Sequence, residues 1–167
     1  MRASIVGILV LLCAVCVSCV HAAAYIKFDG VDGESTSSDD PHKEWIPILS
    51  SSLTSVQGPF RLSFLASAKT MRLVQHLVAR ERLTEVVIEF VQDDETPQNK
   101  SDNCALPYLR YELKDVLISS YSVSGAASGV PTEEVAFNYA VVQGTFYEVD
   151  SDCTSSRPAQ AFSAMNQ

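Results

Sequence analysis

Three histidines, many serines and a scatter of carboxylates are the side chains from which a hydrolytic site would have to be built. Nucleophilic catalysis of that kind needs a serine hydrogen-bonded to a base that a carboxylate orients. The candidate bases are His42 and His76, with His21 at the edge of the N-terminal leader. No Gly-x-Ser-x-Gly elbow presents a nucleophile to either of them. His42 reads as the start of a strand in a polar loop, and His76 as a residue on the solvent side of a helix. No catalytic residue is assigned. A small extracellular hydrolase is the alternative, and it requires a pocket holding His42 or His76 beside a carboxylate. Asp29, Asp32, Glu34, Asp39 and Asp40 are oxygen ligands of the type calcium takes, but their spacing does not match an EF-hand loop. They read as a solvated acidic turn, and Asp93-Asp94-Glu95 as a solubilising loop. Two histidines without paired cysteines do not make a structural zinc site. Neither metal nor cofactor is expected.

Cysteine chemistry depends on the leader. Arg2 is followed by the apolar run Ile5 to Val17 and then by small residues at Ala22-Ala23-Ala24. That is the pattern of a secretory signal peptide, with an apolar stretch too short to span a bilayer. Residues 1–24 are expected to be removed and the mature protein to be secreted, with no membrane span. Three of the five cysteines leave with the leader, so Cys104 and Cys153 remain. Two cysteines in an exported domain favour one disulfide. It would close a loop of about 50 residues and contribute on the order of 4 kcal/mol in the chain-entropy account. Asn99-Lys100-Ser101 is an N-glycosylation sequon in a polar loop, making Asn99 a candidate site in a eukaryotic host.

The elements that would position these groups are mainly strands. Leu109 to Val123 and Val135 to Val149 alternate with a period of two and are joined by the Gly- and Ser-rich loop Ser124 to Glu134. They read as one long antiparallel hairpin. Tyr25 to Asp29, Glu44 to Leu53, Phe60 to Ala66 and a run around Val86 to Phe90 read as further strands. Pro47 confines the second of these to an edge or a bulge. Ser67 is a helix N-cap, and Met71, Val74, Leu77 and Val78 follow at helical spacing, giving one amphipathic helix over about residues 68–82. The expected fold is mainly β: a closed or nearly closed antiparallel β-barrel over residues 25–153, with one α-helix, a long C-terminal hairpin and a flexible tail at 154–167.

Charge excludes some partners and suggests another. The chain carries a net −8, so it does not attract nucleic acid or an anionic membrane by bulk charge. The basic residues are concentrated: Arg61, Lys69, Arg72, Arg80 and Arg82 stand against one acid, Glu81, in the helical stretch. Such segregation suits contact between copies of one chain, and Lys69, Arg72, Arg80 and Arg82 are the candidate oligomer contacts.

Several stretches together resemble a known family. Tyr25-Ile26-Lys27-Phe28-Asp29-Gly30-Val31-Asp32-Gly33-Glu34-Ser35 is similar to an opening strand and Gly-Glu-Ser turn. His42-Lys43-Glu44-Trp45-Ile46-Pro47-Ile48-Leu49-Ser50 is similar to a second strand. Asp115 to Ser122, Gly125 to Gly129 and Thr132 to Tyr139 resemble a C-terminal half. In this order they resemble the haemolysin-coregulated proteins, or Hcp proteins, the tube-forming subunits of bacterial type VI secretion. The glycine-rich insertion carried by many relatives is reduced here to about Gln57 to Pro59. The resemblance implies a non-enzymatic β-barrel subunit that assembles into hexameric rings, with a structural, carrier or effector-like role and protein cargo. A monomeric extracellular binding module on the same barrel is the other alternative.

Overall fold

The computed structural model describes residues 21–33, 42–93, 106–125, 129–149 and 156–166. Cys104, Cys153 and Asn99 lie outside them, as do Glu34, Asp39 and Asp40. The elements run β1 (His21–Phe28), β2 (Ile46–Pro47), β3 (Ser50–Leu53), β4 (Phe60–Leu65), α1 (Met71–Ala79), β5 (Leu83–Asp93), β6 (Pro107–Ser124), β7 (Thr132–Asn138), β8 (Val141–Val149) and β9 (Ser156–Met165). Every strand pairing is antiparallel.

β6 is the spine. Its first half lies between β5, from Val91↔Pro107 to Leu83↔Val116, and β8, from Leu109↔Phe146 to Lys114↔Val141. Beyond Val116 it pairs with β7 instead, from Leu117↔Asn138 to Ser124↔Thr132. Asp115 sits at the changeover with φ 55, a left-handed conformation that Asp tolerates better than most residues. Arg82 holds it there, donating to the Asp115 backbone oxygen at 3.2 Å and approaching its carboxylate at 3.0 Å. The long hairpin is therefore present, but its returning arm is divided into β7 and β8. Tyr139 turns inward at the break and its hydroxyl donates to the Val56 carbonyl at 3.1 Å.

Where a closed or nearly closed barrel is expected, the antiparallel sheet forms but its hydrogen bonding does not close. The hydrogen-bonded path runs β2-β1-β5-β6-β7-β4-β3 and is open between β2 and β3. The expected strand from Glu44 to Leu53 begins only at Ile46, after Glu44 with its left-handed φ of 64, and splits there beyond Pro47, which has no N–H to donate to a ladder. The next two amides then donate to opposite edges: Ile48 N–H to Ala24 O at 2.7 Å, and Leu49 N–H to Ser63 O at 2.8 Å.

The core fills the space between the two halves of the sheet. Phe60 stacks on Phe137 with ring centroids 5.7 Å apart, and Phe28 meets Phe137 edge-on at 6.0 Å. Ile26, Ile88, Leu113 and Leu73 are buried with them, each contributing roughly 1.5–3 kcal/mol by removal from water. Leu73 is the buried anchor of α1, which is shorter than the spacing suggests. Ser67 belongs to the preceding turn, where its hydroxyl accepts from Lys69 N–H and Thr70 N–H, so Thr70 takes the N-cap position. Arg80, left-handed at φ 54, ends the helix.

The C-terminal end departs from expectation. The stretch read as a flexible tail forms β9, paired with β8 from Val141↔Met165 to Val149↔Ser156. Gly144 explains how it docks: the Phe162 ring occupies the place a Cβ on residue 144 would take. Residues 21–24, read as the end of a leader, continue β1 and face Phe90 to Asp93 of β5.

Candidate functional site

The residues nearest to catalytic chemistry lie on the outer face of the sheet. The register places Tyr25 beside Glu89 and Glu89 beside Arg110, one row across β1, β5 and β6. The segment that precedes β2 covers this row and lays His42 on it. His42 Nε2 is 2.7 Å from Glu89 Oε2, and Arg110 donates to Glu89 Oε1 at 2.7 Å and to Glu112 Oε1 at 2.8 Å. Tyr25 stacks on the imidazole at 4.4 Å and Trp45 meets it edge-on at 5.1 Å. Gly33 lets the strap lie this close, because a Cβ there would collide with the Trp45 and Ile46 backbone.

A histidine beside a carboxylate is what the hydrolase reading requires, but the pocket it also requires is missing at His42. The residue is 1% exposed, its ring is covered by Tyr25 and Trp45, and Glu89 is shared with Arg110. A substrate has no approach. The arrangement works as a clasp that fixes the strap to the sheet. His42 is thus a buried residue of a polar network rather than part of an open loop. His76 lies on α1 with Nδ1 3.4 Å from Glu81 Oε2, far from His42 in the chain and in the network. No group of three or more His, Cys, Asp or Glu side chains capable of holding a metal occurs among the described residues.

A second polar cluster ties α1 to β7. The helix has no acid in its first turn. Glu133 supplies one from β7: buried, it accepts from the Thr70 hydroxyl at 2.9 Å beside the positive end of the helix. Tyr121 neighbours Glu133 as well. Burial first, then its interaction with the Glu133 carboxylate, pushes the Tyr121 phenol up to about 12. Burial, with a smaller effect of Tyr111, also raises the Tyr139 phenol.

Three of the four basic residues expected at oligomer contacts make bonds within the chain. Lys69 Nζ donates to Gly33 O at 2.6 Å, Arg72 to Gly30 O at 2.7 Å, and Arg82 pairs with Asp115. Arg80 is exposed at the helix end. Sequence reasoning also passed over an apolar group. At the Leu109 end of β6 the core-facing side of the sheet emerges from cover. Leu109, Gly144, Phe146, Gln160, Ala161 and Phe162 line a shallow depression there.

A family model described as "Type VI secretion system effector, Hcp" matches residues 25–146. The chain belongs to the Hcp family. Its fold is that of solved Hcp structures. A type VI secretion system effector from Yersinia pestis superposes with a TM-score of 0.65 at 18% identity, covering 85% of this chain and 98% of that one. An Hcp protein from Salmonella typhimurium gives 0.64 at 20% identity, covering 82% and 100%. A structure described as a type six secretion system protein gives 0.69 at 22% identity, covering 87% and 96%. No curated protein matches the chain in sequence. Hcp proteins are structural subunits rather than enzymes. The buried state of the His42 clasp is in keeping with a role in holding the Hcp fold together.

Proposed function

We propose that this chain is a non-enzymatic Hcp subunit that assembles with copies of itself into a hexameric ring, in a structural, carrier or effector-like role. The observation that carries the reading is the family match across residues 25–146. A similar protein from Pseudomonas aeruginosa, 16% identical, is described as the secreted protein Hcp3, and secretion is the fate proposed here too. The route proposed from the sequence is a signal peptide ending at residues 22–24, followed by a domain stapled through Cys104 and Cys153. Ile48 and Leu49, donating to β1 and to β4, favour treating the sheet as a nearly closed barrel whose seam is the 46–53 segment. A ring of such subunits would enclose protein cargo rather than nucleic acid, because the chain is acidic.

Size-exclusion chromatography with light scattering tests the ring. The purified protein is expected to run as a closed oligomer at micromolar concentration, whereas a monomer would leave a binding module on the same fold as the better account.

A further inference from the structure

The core-facing side of the sheet is left uncovered at one end. The register lines up Ala24, Phe90, Leu109, Phe146 and Gln160 across β1, β5, β6, β8 and β9. The next row inward is Ile26, Ile88, Tyr111, Gly144 and Phe162. Ile26 and Ile88 are buried in the core, yet Phe146 is 46% and Phe162 42% exposed. The apolar side of the sheet thus outruns its cover and forms a shelf. Tyr108 joins its rim, with its ring 6.4 Å from Phe90 and 6.3 Å from Phe146. Glu148 and Arg157, the charges at its border, face one another across β8 and β9. The shelf therefore suits an uncharged, apolar occupant.

The chain carries such an occupant to this place. β1 runs antiparallel to β5, and its first pair, His21↔Asp93, lies beyond the row of Ala24 and Phe90. Residues 1–20 therefore join the sheet at its shelf end. They are apolar from Ile5 to Val17, and no Asp, Glu, Lys or Arg stands between Arg2 and Lys27. The other internal stretches outside the described residues, 34–41, 94–105, 126–128 and 150–155, hold no apolar run of comparable length. The dimensions agree too. The steps from β1 through β5, β6 and β8 to β9 span about 19 Å at the usual strand spacing. Residues 5–17 wound as a helix would be about 20 Å long. Residues 18–20 in extended form reach about 10 Å, enough to turn the run across the strands.

We propose that in the uncleaved chain the apolar run of the leader, Ile5 to Val17, folds back across the shelf of Leu109, Phe146 and Phe162. Removal of the leader uncovers the shelf, so only the mature protein presents that surface. The inference concerns one chain by itself and does not depend on ring assembly. Hydrogen exchange read by mass spectrometry on the full chain, purified without export, tests it. The wild type and Phe146→Asp are compared at two concentrations tenfold apart. Amides of residues 5–17 are expected to be protected in the wild type, equally at both concentrations, and to exchange at least tenfold faster in Phe146→Asp. Peptides from the buried part of β6 check that the variant is folded. Leu11→Asp lies outside the sheet and is expected to release the leader, giving several-fold brighter emission from the apolar dye ANS. Adding Phe146→Asp to it is expected to remove that gain. An unprotected leader in the wild type would overturn the docking. Protection that survives Phe146→Asp would overturn the shelf as its site, and protection that grows with concentration would make a second copy the occupant instead. A Leu11→Asp chain that binds no more dye than the wild type would also count against it. A monomeric wild type with a protected leader would uphold this inference while the ring reading failed.

Discussion

The His42 clasp joins a buried histidine, a buried carboxylate and a shared arginine, and its physics sets what its variants do. A buried histidine bonded to a buried carboxylate is costly to break from one side, because the remaining partner is left desolvated. His42→Ala is expected to lower unfolding stability by roughly 2–4 kcal/mol in urea titrations. Glu89→Ala is expected to cost a similar amount, and the double variant less than the sum, a coupling of at least about 1 kcal/mol. Additive losses would show that the 2.7 Å contact carries no coupling of its own. Tyr121 gives a pH signature of another kind. Its folded pKa, about 12, lies above the ordinary value of 10.0, so between those limits the folded state keeps a proton that the unfolded state releases. Stability is therefore expected to fall as pH rises through that window. Tyr121→Phe is expected to flatten the fall in thermal melts, and an unchanged slope would place the titration elsewhere. Neither cluster was legible in the sequence. Tyr25, His42, Trp45, Glu89 and Arg110 are far apart in the chain, and only strand register brings them together. His42 in isolation looked like any polar residue entering a strand.

At the scale of elements, strand identity was legible and strand partnership was not. Period-two alternation marked β4, β6, β7 and β8, because each has one face in the core. It did not mark β9, whose Ser, Ala and Gln residues are nearly all exposed and carry little periodicity. Its docking signal lies on the partner strand instead, at Gly144. Gly144→Ala is expected to push the Phe162 ring aside and to cost about 1–3 kcal/mol, with loss of near-UV circular dichroism from the Tyr111–Phe162 pair. An unchanged spectrum would mean that β9 is not held by that ring. The N-terminal boundary makes a separate prediction. If export removes residues 1–24, the mature protein keeps the pairs from Tyr25↔Glu89 to Phe28↔Val86 and loses those from His21 to Ala24. Mass spectrometry of the exported protein is expected to find an N-terminus between Ala23 and Tyr25, and an N-terminus retained at Met1 would contradict the leader.

For the molecule as a whole, family membership was legible because short motifs occur in the right order along most of the chain. The surfaces were not. Alternation shows which side of a strand is apolar without showing where the covering half of the sheet stops, and so it could not separate Ile88 in the core from Phe146 on the shelf. Basic residues drew attention to α1, but Lys69, Arg72 and Arg82 make bonds inside the subunit. Met71 and Val78 on the same helix are exposed. If this chain assembles as an Hcp subunit, the mass of the purified protein in solution shows it. Light scattering behind size exclusion at micromolar concentration is expected to give a six-fold multiple of the subunit mass that persists on dilution. A single-subunit mass under the same conditions would contradict it.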